Sequence, residues 1–422
     1  MENNIQKLEK NVSIYKNYKM VGYDWLFYYA ISVLFFIQVK GFSMSQVMYL
    51  SSIFTLANFI GQIPVNMLIE KIGLRKSIII GNLLNTIAAA GFILFNSFWS
   101  IGVFQAICSI GFALKSVAES SLIYSSMKKL GKRSLFSKVE GASNSKYYYL
   151  DAIASILAGY MFLLNGYLPM LWCFAGCLIA LLISFEFNDV KNDEKEEFKL
   201  KEFFSGFRTI LKSGRFCSLL IFSFVFTGII NMSTNLYKAI LIDFNFDSSK
   251  LALVVCVMTA LAGLGAKSVY YIEKKTKNKT LTIFSIIYVL LLIVIGMQGI
   301  DKFTSSYSTI IICTSLVFMG IIQGAYRVIN KKYIVSFTHT NFRSKVVTLY
   351  YIFENLGATI ICFISGLLLE EYTNSVSTVI MGFISLVLVI LVLAFMNKRV
   401  GLKPEDYSKK DLYGSELEYD KK

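Results

Sequence analysis

Histidine is almost missing from this sequence: His339 is the only one in 422 residues. The seven cysteines, Cys108, Cys173, Cys177, Cys217, Cys256, Cys313 and Cys362, form no C-x-x-C pair and all fall in apolar segments. A disulfide framework or zinc centre has little basis, and packing accounts for the thiols. No G-x-x-x-x-G-K-S/T loop occurs, so direct ATP drive is unsupported. No metal cluster or nucleophile triad points to an enzyme, and no cofactor is called for. Charge is scarce as well. Only 16% of residues are charged, against roughly 25% in soluble chains.

What is present is apolar mass, 55% of the residues, set in long blocks. A helix that is apolar on all sides lies in lipid or deep in a core, and about 20 such residues cross a bilayer. Twelve spans are legible, at about 20–39, 46–69, 78–96, 99–126, 139–164 and 167–187, then about 216–240, 251–272, 281–299, 306–329, 344–369 and 375–396. Each is expected to be a helix, because lipid offers the backbone of a single span no other partner. The reading is an all-α membrane protein. Its parts are an N-terminal segment at 1–19, a six-helix bundle at 20–188, a charged linker at 189–215, a second bundle at 216–397 and a polar tail at 398–422. The first 19 residues are polar and lysine-rich, and the apolar stretch behind them is too long for the h-region of a cleavable signal.

The net charge of +15 sits in short connections between apolar blocks. That placement fits membrane orientation and not nucleic acid. With the N-terminus inside, thirty-four of the forty-two lysines and arginines fall on inner segments. Three, Lys40, Lys250 and Lys302, fall on outer loops. The positive-inside rule then puts both termini in the cytoplasm and supports the helix count.

Two stretches repeat. "LIEKIGLRKSIII" starts at Leu68 and "YIEKKTKNKTLTI" starts at Tyr271. "SKV" occurs at Ser137 and again at Ser344, and at the same offset Gly159 falls on Gly366. Spans 1–6 and 7–12 thus read as two copies of one unit in the same orientation. In the first elbow Gly73 allows a tight inner turn, Glu70 ends span 2, and Arg75 and Lys76 open span 3. With Lys71, and with Glu273 and Lys274 in the second elbow, these residues suit a latch that pairs acids with bases and breaks when the protein rocks. The bland alternative is a topology signal, bases held inside.

Six plus six spans, a charged central linker and "NMLIEKIGLRK" after span 2 resemble the major facilitator superfamily, over nearly the whole chain. Glu70 stands for the usual aspartate, Lys71 keeps the base, Gly73 the turn, and Arg75 and Lys76 the cationic end. Asn66 replaces the usual first glycine and Leu74 a common arginine. The stretch from Ser116 to Gly141 also resembles bacterial members. The resemblance implies secondary transport by alternating access, usually as a monomer, in a bacterial cytoplasmic membrane. The markers of proton-coupled drug exporters are weaker: Ile107 stands where span 4 of those members has an arginine, and no proline follows Gly159.

Charges inside spans are costly and mark sites. They are Asp24, Lys115, Glu119, Lys146, Asp151, Lys238, Lys267, Arg327 and Glu354. Setting aside Glu186 at the inner edge of span 6, none lies within spans 3, 6, 9 or 12, which in the family are outer supports. Glu119, Asp151, Glu354 and, nearer an edge, Asp24 are candidate proton carriers. With no histidine in any span, carboxylates alone can serve. Lys115 and Glu119, four apart on one helix face, are expected to pair directly, as a structural ion pair or as part of a site. Lys238, Lys267 and Arg327 lie near helix ends and can snorkel. Candidate cavity residues are Lys115, Lys146, Tyr147, Tyr148, Asn231, Asn235, Tyr237, Arg327, Tyr351 and Asn355, with packing or interface placement as the alternative for the aromatics. Ser43 and Gln46 form a capping pattern at the start of span 2.

The function expected is a secondary active transporter of a small amphipathic solute, with protons and the bilayer as partners and export as the direction. An uptake symporter, or a non-transporting sensor or scaffold, is the alternative. Mixed cavity charge leaves the sign of the solute open.

Overall fold

The computed structural model describes residues 2–132, 135–190, 214–276, 279–300, 306–336, 343–396 and 400. Among them there is no strand. The long helices are α1 (Glu2–Gly22), α2 (Met44–Ile72), α3 (Leu74–Leu94), α4 (Phe98–Lys129), α5 (Phe136–Leu164) and α6 (Leu168–Ser184). They continue as α7 (Gly214–Asp243), α8 (Ser248–Thr276), α9 (Thr280–Gln298), α10 (Ser306–Ser336), α11 (Arg343–Glu371) and α12 (Asn374–Phe395). Ten of these are long and apolar enough to cross a membrane, and α6 is a shorter apolar helix. His339, most of the linker and the polar tail lie outside the described residues.

Span 1 departs from expectation. The sequence reads as one continuous helix at 20–39, but α1 ends at Gly22 and helical structure resumes only at Ser32. There a single turn, Ser32–Leu34, runs into a π-helical turn, Phe35–Val39. The inner half also begins earlier than hydropathy suggests: Tyr15 and Tyr18 are fully buried and Lys19 is 4% exposed. Hydropathy missed this half because its buried face carries tyrosine and lysine rather than aliphatic residues.

Local chemistry sets the helix ends. Ser43 and Gln46 form the expected reciprocal cap: Ser43 Oγ accepts from Gln46 N at 3.2 Å and Gln46 Oε1 accepts from Ser43 N at 3.0 Å. Ser97 and Thr373 cap α4 and α12 by accepting from Ser100 N and Val376 N. Gly73 turns the chain between α2 and α3 at φ 88°, a region that costs any residue with a Cβ.

Lys40 closes the C-terminal end of α3. Its ammonium donates to Ile93 O, Phe95 O and Asn96 Oδ1 at 3.2, 2.9 and 2.8 Å, where a cation complements the carbonyl end of the helix. Burial pushes this ammonium down to about 8. An unfolded lysine titrates near 10.4, so between about pH 8 and 10.4 the unfolded chain binds the extra proton. Stability is then expected to rise with pH across that window and to be flat below it. Thermal melts of wild type and Lys40→Met from pH 7 to 10.5 check this: the rise should be absent from the variant.

The chain divides into two compact units. One holds α1, α3 to α6, α2 from Leu56 onward and the start of α8, Ser248–Leu253. The other holds α7, α9 to α12, the rest of α8 and the start of α2, Ser43–Thr55. In the first unit α3 and α4 meet closely at Gly81 and Gly111, around a core of Ile78, Leu114, Ala118 and Leu122. In the second unit α7 and α11 meet at Gly228 and Gly357.

A joint recurs in the two units. In the second, Ser45 Oγ on α2 donates to Gly366 O on α11 at 2.8 Å, and the Tyr49 ring lies where a Cβ on Gly366 would be. In the first, Ser248 Oγ on α8 donates to Gly159 O on α5 at 2.7 Å, and Ala252 lies where a Cβ on Gly159 would be. Ser45 and Ser248 occupy equivalent positions of the repeat, as do Tyr49 and Ala252, and Gly159 and Gly366. The second joint is the more polar. Ser52 Oγ donates to Thr359 O, Thr55 and Thr359 share a 2.9 Å hydroxyl contact, and Tyr49 OH donates to Glu370 at 2.8 Å.

Candidate functional site

In the first unit the charges of α4 hold the inner half of span 1. Glu119, 1% exposed, accepts from Lys19 Nζ at 2.5 Å and from Tyr18 OH at 2.9 Å. Asn82 of α3 donates to the same tyrosine oxygen at 2.8 Å. The expected pair of Lys115 with Glu119 does not form. Lys115 Nζ instead donates to Gly22 O at 2.7 Å and lies 4.4 Å from the Phe112 ring centroid. Helix-face spacing allowed the pair, but both partners found better ones. A carbonyl freed at the end of α1 takes the ammonium, and a second lysine takes the carboxylate. Tyr15 OH adds a bond to Glu140 of α5 at 2.5 Å.

Between Gly22 and Ser32 lies the non-helical stretch Tyr23 to Ile31. Asp24 sits in it and accepts from Trp25 N at 2.8 Å. Phe27 has φ 65°, a left-handed value that is costly for a bulky residue. Trp25 packs against Phe92 of α3 and Phe112 of α4, and Phe27 against Trp172 of α6. Tyr23 meets Tyr147 and Tyr148 of α5, with ring centroids 4.7 and 5.7 Å away. Asp151, one turn beyond Tyr147, is half-buried, and its Oδ1 has no hydrogen-bond partner. Lys146 is exposed on the same helix.

The second unit holds a different kind of acid. Glu354 on α11 accepts from Thr227 Oγ1 of α7 and from Tyr350 OH, both at 2.6 Å, and from Asn330 Nδ2 of α10 at 3.3 Å. Asn330 also donates to Tyr326 OH at 2.7 Å and to Tyr350 OH, and accepts from Ser223 Oγ at 3.0 Å. Thr227 and Tyr326 share a 3.0 Å contact. Among the described residues every donor to Glu354 is neutral and no base forms an ion pair with it. Arg327 acts on it only through space. The two acids therefore differ in kind: Glu119 is ion-paired, whereas Glu354 is solvated by hydroxyls and an amide.

The remaining candidates spread out. Asn235 Nδ2 donates to Ser51 Oγ at 2.9 Å. Asn231 and Asn355 turn back on Thr227 O and Tyr351 O of their own helices, at 3.1 and 2.8 Å. Tyr237 is buried, Tyr351 is 42% exposed and Arg327 is exposed. In the elbow between α2 and α3, Arg75 Nη2 donates to Phe185 O at the end of α6, at 2.9 Å. Glu70, Lys71, Lys76 and Lys274 are exposed, and the side chain of Glu273 lies outside the described residues. Sequence reasoning missed Tyr18, Lys19, Asn82, Thr227 and Asn330. Asn82 was legible as a polar group inside an apolar span, whereas Lys19 lies in the polar segment before span 1. Thr227 and Asn330 carry no charge and gave no signal.

The family model described as Major Facilitator Superfamily matches residues 20–301 and 279–416. Comparison with curated proteins finds no match. Among solved structures the chain is similar to the nucleoside transporter NupG, with a TM-score of 0.74, 12% identity, and coverage of 94% of this chain and 99% of that one. It is similar to a D-xylose–proton symporter, with a TM-score of 0.70, 13% identity, and coverage of 94% and 100%. It is also similar to a peptide transporter, POT, in complex with sulfate, with a TM-score of 0.66, 13% identity, and coverage of 94% and 95%. At these identities the likeness is one of fold.

Proposed function

The chain belongs to the major facilitator superfamily, and from that premise we propose that it is a proton-coupled secondary transporter of a small amphipathic organic solute. The observation that carries the reading is Glu354, a carboxylate in a membrane helix whose hydrogen-bond donors among the described residues are all neutral. Such a group gains or loses a proton without breaking an ion pair, and its change of charge biases which state of the protein is favoured. Glu119 is left as a structural acid, because protonating it strands Lys19. Export is the direction assigned. A solute rich in apolar surface enters through the bilayer unaided, so work is needed only outward. The distribution of lysine and arginine supports both termini in the cytoplasm, and the reading includes a monomer in the cytoplasmic membrane.

The test is flux in proteoliposomes with an imposed pH gradient, using a panel of cationic, neutral and anionic fluorescent dyes. Gradient-driven movement of one class supports the reading. No gradient-dependent movement of any of them refutes it.

Alternating access needs joints that open. The two serine–glycine joints are assigned that role, since each binds the first turns of one helix to a helix of the other repeat. A Cβ on Gly366 would meet the Tyr49 ring at 2.4 Å, and one on Gly159 would meet Ser248 O at 2.7 Å. Gly366→Val is therefore expected to undock the start of α2. A cysteine placed at Ser52, in a background without native cysteines, should then react with an impermeant maleimide at least about tenfold faster. Unchanged reactivity would contradict the assignment.

A further inference from the structure

Gly22 ends α1, where glycine commonly closes a helix, but nothing in the next nine residues stops the helix from resuming at once. "YDWLFYYAI" from Tyr23 to Ile31 holds neither glycine nor proline, and sharp interruptions of helices usually trace to one of these. In a membrane the freed backbone groups must be satisfied by neighbours, and discontinuous spans of this kind build solute and ion sites. Left-handed Phe27 adds a local cost that persists only where the surroundings impose it.

The walls of the break have a definite chemistry. Three tyrosine rings cluster there: Tyr147 and Tyr148 are 5.5 Å apart, each touches Tyr23, and the hydroxyls of Tyr23 and Tyr148 are 3.2 Å apart. Asp24 and Asp151 flank them. Asp24 is an electrostatic neighbour of both Asp151 and Tyr147. The bases nearby are already committed, Lys19 to Glu119 and Lys115 to the Gly22 carbonyl. The next base along α5, Lys146, is exposed.

The chain's own cations show what these walls accept. Lys19 Nζ lies 4.8 Å from the Tyr23 ring centroid. Lys115 Nζ lies on a carbonyl at the lip of the break and 4.4 Å from the Phe112 centroid. Aromatic faces thus lie against two ammonium groups at this spot, Lys115 also on a freed carbonyl and Lys19 also paired with Glu119, while one oxygen of Asp151 is buried without a partner. An anion would meet two carboxylates. A bare metal ion would need a cage of oxygens, whereas rings predominate here.

We propose that the break in span 1 binds an organic cation, an ammonium or phosphonium group carrying apolar or aromatic substituents, against the rings of Tyr23, Tyr147 and Tyr148 with Asp151 and Asp24 as counter-charges. The proposal rests on the transport reading for its purpose but not for its test, which is equilibrium binding. It also gives the solute a sign that the sequence left open, since the bases that made the charge look mixed are used within the protein.

Two of the three tryptophans, Trp25 and Trp172, line the break or touch it, so intrinsic fluorescence reports occupancy. Tetraphenylphosphonium is titrated into the purified full-length protein in detergent, with radiolabelled ligand as a second readout. Saturable binding is expected, weakened about tenfold or more by Asp151→Asn and by Tyr148→Ala. Tyr148→Phe, which keeps the ring, should stay within about threefold of wild type. Tyr149→Ala, at an exposed neighbour, should leave affinity unchanged. Absence of saturable binding by the folded protein overturns the proposal, as does binding indifferent to both Asp151→Asn and Tyr148→Ala. Binding by a protein that moves nothing across a liposome supports the site and removes the transport reading. Proton-driven flux of another solute, with no cation bound, overturns the site and leaves that reading in place.

Discussion

Glu354→Gln is expected to lower proton-driven flux by about 100-fold or more while leaving gradient-free exchange of labelled solute within about threefold of wild type. The substitution keeps size and shape. A glutamine carbonyl still accepts from Thr227 and Tyr350, so the α7–α11 contact survives. What disappears is the ability to change charge. Exchange needs only a cavity that opens to both sides, whereas net movement against a gradient needs a proton to be carried. A structural role for Glu354 gives a different outcome, with flux and exchange falling together. The same two assays on Asn330→Ala make a useful contrast. That change removes one donor to the carboxylate and loosens its neighbours, so it should slow both modes modestly.

Glu119→Gln is expected to act on stability first. Lys19 and Glu119 form a buried ion pair at 5% and 1% side-chain exposure, respectively. Removing one charge leaves Lys19 without its counter-charge, at a cost of about 3–5 kcal/mol for breaking such a pair. The loss should appear as a lower melting temperature in detergent and a lower yield of folded protein. Replacing both partners, as in Lys19→Met with Glu119→Met, should recover most of it, because the uncompensated charge is gone. If the double variant is as unstable as the single one, the ion pair is not what holds the inner half of span 1. Tyr18, which bonds the same carboxylate and receives Asn82, would then be the group to examine.

Much of the architecture was legible because lipid leaves few choices. Long apolar blocks, loops biased in lysine and arginine, and elbows repeated at one offset gave twelve spans in two repeats. The match of Gly159 to Gly366 was a sign of duplication only; that each glycine sits in a serine–glycine joint shows first in the structure. Two features escaped, for identifiable reasons. The break starts at Gly22 and is held open by partners outside its own segment, Lys115 on the freed carbonyl and rings from α3, α4 and α6. Hydropathy sees only the segment. The partner of Glu119 escaped because Lys19 precedes the apolar run, so it read as a solvated base before the membrane. In both cases helix-face spacing gave permission for a contact, and competition among neighbours decided it. Glu354 was picked out by cost alone, as an acid in a span. Its setting of threonine, tyrosine and asparagine was invisible because neutral polar residues are tolerated widely in membrane helices.

The central claim is that Glu354 takes up and releases the coupled proton. Infrared difference spectroscopy on the protein in liposomes, through a pH jump, tests it most directly by following the carbonyl stretch of protonated carboxylic acids. The account predicts a band that appears on acidification, vanishes in Glu354→Gln and survives in the Lys19→Met, Glu119→Met double variant. A band that survives Glu354→Gln unchanged would contradict it.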